Sequence, residues 1–212
     1  AEALLEQVAA GKIPRGEVTV LHARQIRSLN NAKLTERLNS IWGELRDSPA
    51  DKQQLIAQLK SQLTAEVLQQ ADKSHGRATF SKACGNCHRL YGHGGQIGPD
   101  LTGSGRHNLD YLLINLVDPS AAVGADYRLS TVALHDGRVL NGIIASQTEK
   151  IVTLQTAKER LTISRSEIDE IVPSSLSLMP DGLLQPLSAE QIRDLVAYLI
   201  SPTQVPLPPE SP

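Results

Sequence analysis

The sequence predicts a mainly α protein with a small β insert. Apolar residues recur at helical offsets over residues 1–70 and again near the C-terminus. Between 125 and 172 the apolar pattern changes from the helical period to the alternation of strands. An Asp136-Gly137 pair inside that block is a tight-turn signal between two such strands.

Taken in order, Leu4, Leu5 and Val8 make a short helix that Gly11 and Pro14 terminate. Leu34, Leu38, Ile41, Trp42 and Leu45 then form the stripe of an amphipathic helix. Ser48-Pro49 reads as an N-cap with Pro at the first helical position, opening a helix that carries Leu55, Ile56, Leu59 and Leu63. No catalytic cluster occurs in this part, and His22 stands alone. Residues 74–90 read as the next helix, with Gly76 and Phe80 one turn apart on a shared face. Asn108 caps a helix bearing Leu109, Leu112, Leu113 and Leu116, which Asp118-Pro119 stops. Near the end, Ser188 and Gln191 form a capping box ahead of Ile192, Leu195, Val196 and Leu199, and this helix is expected to cross the one bearing Gly76.

The β block holds five short runs: Ser130–Leu134, Val139–Ala145, Ile151–Gln155, Arg160–Ile163 and Ile168–Val172. They predict a five-stranded antiparallel sheet or SH3-like barrel. A block this short sits near the size, roughly 40 residues, below which domains rarely fold unaided, so it is expected to lean on its neighbours. RNA or peptide binding by such a barrel is the less favoured role; a docking surface or a cover for the site below is expected instead.

The chemistry of the chain is concentrated in Cys84-Gly85-Asn86-Cys87-His88. Two cysteines separated by two residues and followed by histidine are the signature for covalent attachment of a c-type haem. The thiols of Cys84 and Cys87 add to the two vinyl groups, and His88 reaches the iron as proximal ligand. Both cysteines of the protein lie in this motif. A structural zinc site would need two further ligands at matching spacing, and the other histidines form no such pair. The following stretch, Tyr91 to Leu101, sets Gly92, Gly94, Gly95 and Gly98 around His93, a loop built to pass close to something bulky. Met179, the one methionine of the chain, sits in a Pro- and Gly-flanked loop.

Composition narrows the function classes. A net charge of -2 argues against a nucleic-acid binder. No apolar run approaches the roughly 18 residues of a membrane span. Aromatic residues make up 3% of the chain, and a haem would supply the large flat body such a core lacks. The chain begins at Ala1, as expected of a processed or excised segment. Haem c is attached outside the cytoplasm, so a periplasmic or other extracytoplasmic location is expected.

Together these residues resemble a class I type cytochrome c: the C-x-x-C-H motif, the Gly98-Pro99-Asp100-Leu101 loop, a central helix, a methionine loop and a C-terminal helix ending in Tyr198-Leu199. The chain is most similar to the haem-binding domain of the Pirellula/Verrucomicrobium type, in which a β segment interrupts the cytochrome c fold before an S-L-M-P-x-G-L-L motif, here Ser177 to Leu184. The apolar periodicity gives a helical module at 1–70 and the composition a Pro-rich tail at 203–212, while the resemblance implies a cytochrome c domain in two parts (71–124 and 173–202) around a β insert at 125–172. It implies one covalent haem c with His88 and Met179 as axial ligands, the Pro99 carbonyl accepting the other ring N–H of His88, and Arg106 as a propionate contact. His93 is the rival distal ligand, whereas His75, His107 and His135 read as surface residues.

The expected function is single-electron transfer with a redox partner protein or a fused dehydrogenase domain. The alternative is a haem peroxidase or diatomic-gas sensor in which Met179 is displaced.

Overall fold

The structure is a computed structural model that describes residues 1–43 and 45–209. It corrects the expected fold class. Among the described residues helices, eight of them α and three short 3-10 turns, make up 40% of the chain and strands 20%, with a five-stranded antiparallel sheet, so the chain is α plus β and not mainly α. The strands outgrow their apolar runs because ladder pairing continues through polar residues whose side chains face water. The last strand, for example, is paired as far as Ser177, opposite Arg128. The chain divides into two compact units, 1–46 with 120–179 and 47–119 with 180–212.

In the first unit, α1 (Glu2–Ala9), α2 (Val20–Arg27) and α3 (Ala32–Ile41) pack around Leu5, Val8, Ala23, Ile26, Leu38 and Trp42. His22 is not isolated: Thr19 and His22 form the capping box that opens α2. Asn31 caps α3 by accepting from the Leu34 N–H at 3.2 Å. Gly43, at φ +143°, lies directly against the Val123 carbonyl, and a side chain there would collide with it. The sheet follows, with β3 (Arg128–Leu134), β4 (Val139–Gln147), β5 (Ile151–Gln155), β6 (Arg160–Ser164) and β7 (Ile168–Ser177) in the order β6-β5-β4-β3-β7. All neighbours are antiparallel, and β6 and β7 form its two edges. Val132, Leu134, Val152, Leu154, Ile163 and Ile168 give the sheet a core of its own.

The second unit holds α4 (Ala50–Gln62), α5 (Ala65–Gln69), α6 (Lys73–Ala83), a hairpin of β1 (Arg89–Leu90) and β2 (His93–Gly94), α7 (Leu109–Val117) and α8 (Ala189–Leu199). Pro49 itself occupies the N-cap position of α4, so Ser48 does not cap it. α4 therefore starts without a side-chain cap. α6 and α8 cross at Gly76: a Cβ there would overlap the Asp194 carbonyl and stand 2.8 Å from Tyr198 Cβ. The Phe80 and Tyr198 rings meet beside it, 5.6 Å apart and tilted by 59°. Asp194 is buried on the same face and accepts the Asp72 N–H at 3.0 Å, joining the start of α6 to α8. No helix among the described residues is long and apolar enough to cross a membrane.

Candidate functional site

α6 ends at Ala83, earlier than the helical reading of 74–90, and Cys84 is its C-cap. The cause is local. The N–H groups of Cys84 and Gly85 both turn to the Phe80 carbonyl at 2.8 Å, which closes the helix on a Gly. Cys87 and His88 then both donate to the Cys84 carbonyl, at 3.0 and 2.9 Å, so the motif is a tight turn and not a continuation of the helix. This turn brings the two cysteines and the histidine together on one short piece of backbone.

The glycine-rich stretch lies along that turn, backbone against backbone. Gly95 N–H donates to the Gly85 carbonyl at 2.8 Å, Gly98 N–H to Cys87 at 2.9 Å, and Leu101 N–H to Arg89 at 2.8 Å. A side chain at Gly94 or Gly95 would run into the carbonyls of His88 and Asn86, so contact this close requires glycine. At Gly98 the neighbour is the imidazole itself: a Cβ would lie 2.5 Å from His88 Cε1 and 2.8 Å from Nδ1.

His88 Nδ1 stands 2.9 Å from the Pro99 carbonyl. A carbonyl only accepts, so Nδ1 carries the proton and Nε2 is the nitrogen with a free lone pair. Burial pushes the imidazole pKa down, against a smaller upward pull from the Pro99 carbonyl. Burial thus favours the neutral ring, and the Pro99 bond at Nδ1 leaves Nε2 suited to ligate a metal.

Cys84 and Cys87 are free thiols and partly exposed. Burial, then the neighbouring Cys87, pushes the Cys84 thiol up to about 11. A redox-active dithiol needs the opposite, a thiol pKa lowered toward neutrality. Among the described residues no three His, Cys, Asp or Glu side chains converge as a metal-holding group. The donor set at the turn is thus two cysteine sulfurs and one oriented imidazole, which fits a covalently attached haem, and among the described residues no further ligands complete a structural zinc site.

The other expected site residues are distributed as follows. Met179 closes the first unit, its N–H donating to Ser177 Oγ at 3.1 Å. His93 is exposed on β2, opposite Leu90. His107 Nδ1 lies 2.9 Å from the Ile200 carbonyl at the end of α8. Arg106 is 2% exposed, and its guanidinium donates to the carbonyls of Leu101, Leu199 and Ser201 and to the Tyr91 hydroxyl. Tyr91 in turn donates to the Ser201 carbonyl. These bonds spend Arg106 on the C-terminal end of α8, where a cation also meets the negative end of the helix dipole. Sequence reasoning missed this role, since the carbonyls lie more than 90 positions away and their only sequence sign is an arginine after a glycine-rich turn.

No protein-family model and no curated protein sequence matches this chain.

Proposed function

We propose that the chain is a c-type cytochrome that transfers single electrons through one covalently attached haem c. The observation that carries this reading is the Cys84–His88 turn, with its two thiols and an imidazole whose Nδ1 is committed to Pro99. Cys84 and Cys87 would hold the haem through two thioether bonds, each thiol proton going to the vinyl carbon that the sulfur does not take, so that no oxidant is needed. His88 offers Nε2 to the iron, while the Pro99 carbonyl and the Gly98 backbone fix the ring's tautomer and plane. By the resemblance to class I type cytochromes c, Met179 would supply the second iron ligand. Once bound, the haem supplies a one-electron couple, and His/Met ligation raises its potential relative to two nitrogen ligands. A saturated iron has no open position for substrate, which favours electron transfer over peroxidase or gas-sensing chemistry. The location that goes with this chemistry is extracytoplasmic, and the partner is another redox protein or a fused dehydrogenase domain.

The test is to produce the chain in a host with a haem c attachment system and to record its visible spectrum during a reductive titration. A c-type spectrum that survives acid–acetone extraction is expected, with a weak far-red methionine-to-iron band in the oxidised form that Met179→Ala abolishes. Failure of the Cys84→Ala/Cys87→Ala variant to differ from the unaltered protein in bound haem would overturn the attachment site. A high-spin oxidised iron at neutral pH in the unaltered protein would overturn the electron-carrier reading in favour of an open-site haem protein.

A further inference from the structure

The second unit contains a charge cluster that the haem reading leaves unused. Lys52, on α4, places Nζ 2.9 Å from Asp118 Oδ1 and 2.9 Å from Asp181 Oδ2. The Asp118 side chain is fully buried at the C-cap of α7, whereas that of Asp181 is 58% exposed. A buried carboxylate needs a partner, and Lys52 supplies one. That need does not account for a second carboxylate on the same ammonium.

The positions of the two aspartates account for it. Asp118-Pro119 is where the chain leaves the second unit, and Pro180-Asp181 is where it returns. Between them runs the whole of 120–179, which ends on Met179. One ammonium on a single helix therefore clips the departing and returning chain together, two residues from the methionine.

Resting on the His/Met reading above, we infer that Lys52 is a positioning residue for Met179, acting through its ion pair with Asp181. A thioether is neutral and has no charge to draw it to iron, so its occupancy depends on how well its loop is already held. Holding a loop in its bound conformation raises affinity by removing the cost of ordering it. The Lys52–Asp181 pair ties down the chain two residues beyond Met179. Asp118 fixes the ammonium and so gives the clip a rigid base.

The test uses the haem-bearing full chain. Imidazole is titrated into the oxidised protein while loss of the far-red band is followed, and amide hydrogen exchange is measured over 178–187. Asp181→Asn keeps the buried Lys52–Asp118 pair intact, so it folds as the unaltered protein does. It should bind imidazole about twofold to fivefold more tightly, the range set by a half-exposed ion pair, and its loop amides should exchange faster. Lys52→Gln should show both effects more strongly; if it does not fold, Asp181→Asn carries the test alone. Unchanged imidazole affinity in Asp181→Asn, with the band present in the unaltered protein, overturns the inference and leaves the haem reading standing. Faster exchange without tighter imidazole binding also overturns it, since the clip would then be structural only. Absence of the band from the unaltered protein overturns the methionine ligation and this inference together.

Discussion

Gly98→Ala is the sharpest single test of how the turn holds its histidine. The backbone at Gly98 is not in the left-handed region, so alanine meets no φ penalty there. The whole effect is steric. The new Cβ would stand 2.5 Å from His88 Cε1, 2.8 Å from Nδ1 and 3.1 Å from Nε2, where ordinary contact begins at 3.4 Å. Relief requires the ring or the loop to move by roughly 1 Å, and overpacking of this kind costs about 1–3 kcal/mol. Such a shift also stretches the 2.9 Å bond from His88 Nδ1 to Pro99, which contributes about 0.5–1.5 kcal/mol. The sum is a loss of about 2–4 kcal/mol in urea unfolding of the full chain. Gly103→Ala is the control, because nothing lies within 4 Å of its Cβ and its φ is also unexceptional. That variant should be neutral or gain about 0.4–1 kcal/mol through the unfolded state. If Gly98→Ala unfolds within 0.5 kcal/mol of the parent, the contact between that backbone and the imidazole is not as described. A haem-bearing Gly98→Ala protein should in addition have a shifted reduction potential, since ring orientation and basicity are set by the Pro99 bond.

Three further outcomes follow from the same geometry. Gly76→Ala forces a methyl into the Asp194 carbonyl and against Tyr198, so α6 and α8 must separate; a loss of about 3 kcal/mol or more by denaturant titration is expected. Arg106→Met leaves the buried Leu199 carbonyl without its Arg106 donor and should cost about 3 kcal/mol, with Arg106→Lys failing to restore it because an ammonium cannot reach the same fork of acceptors. Asp72, the N-cap of α6, is held below the usual carboxylate range first by the His75 backbone N–H, with the His75 charge and the Ser74 N–H adding to it. Its folded pKa is the lower one, so its contribution is complete above the ordinary value of 3.8 and disappears as pH falls through the folded value. Asp72→Asn keeps a capping oxygen but cannot titrate, and a plot of unfolding free energy between pH 5 and 2 should be shallower for it than for the parent.

Local signals carried much of the helical reading because they act over three or four residues. Asn108, Ser188 and Gln191 cap where expected, since an N-cap bond spans only neighbouring residues. Gly76 and Phe80 marked a crossing because a glycine on an apolar face has few other uses. The fold class failed where pairing reaches across the chain. β7 extends to Ser177 through Pro173, which pairs with Ser130, and through an irregular stretch at Ser174 and Ser175 before pairing resumes at Ser177 opposite Arg128; these residues carry no strand signal. α2 was missed because its eight residues bury only Ala23 and Ile26, too few for a periodic stripe. At the candidate site, C-x-x-C-H was legible by itself. That α6 stops before it depends on two N–H groups sharing the Phe80 carbonyl, a choice that propensity does not encode. The clustering of Lys52 with Asp118 and Asp181 had no local sign, because its partners are 66 and 129 positions away.

The second unit is assembled from two stretches of chain, and the polar ties explain how that is affordable. The returning stretch is fixed near its start by Lys52–Asp181, in its middle by the Gly76 crossing and the Asp72–Asp194 bond, and at its end by Arg106, Tyr91 and His107 on the last carbonyls of α8. Loop-closure entropy rises only logarithmically, by about 0.6 kcal/mol for each doubling of length. Inserting all of 120–179 between Asp118 and Asp181 therefore costs only a few kcal/mol more than a short turn would. Burial of Leu195, Val196, Tyr198 and Leu199 on α8 exceeds that cost several-fold, at roughly 1.5–3 kcal/mol per large apolar side chain. A folded sheet with its own core can thus occupy the connection without weakening the unit that carries Cys84 to His88. The Lys52 clip acts where that chain returns, two residues from Met179.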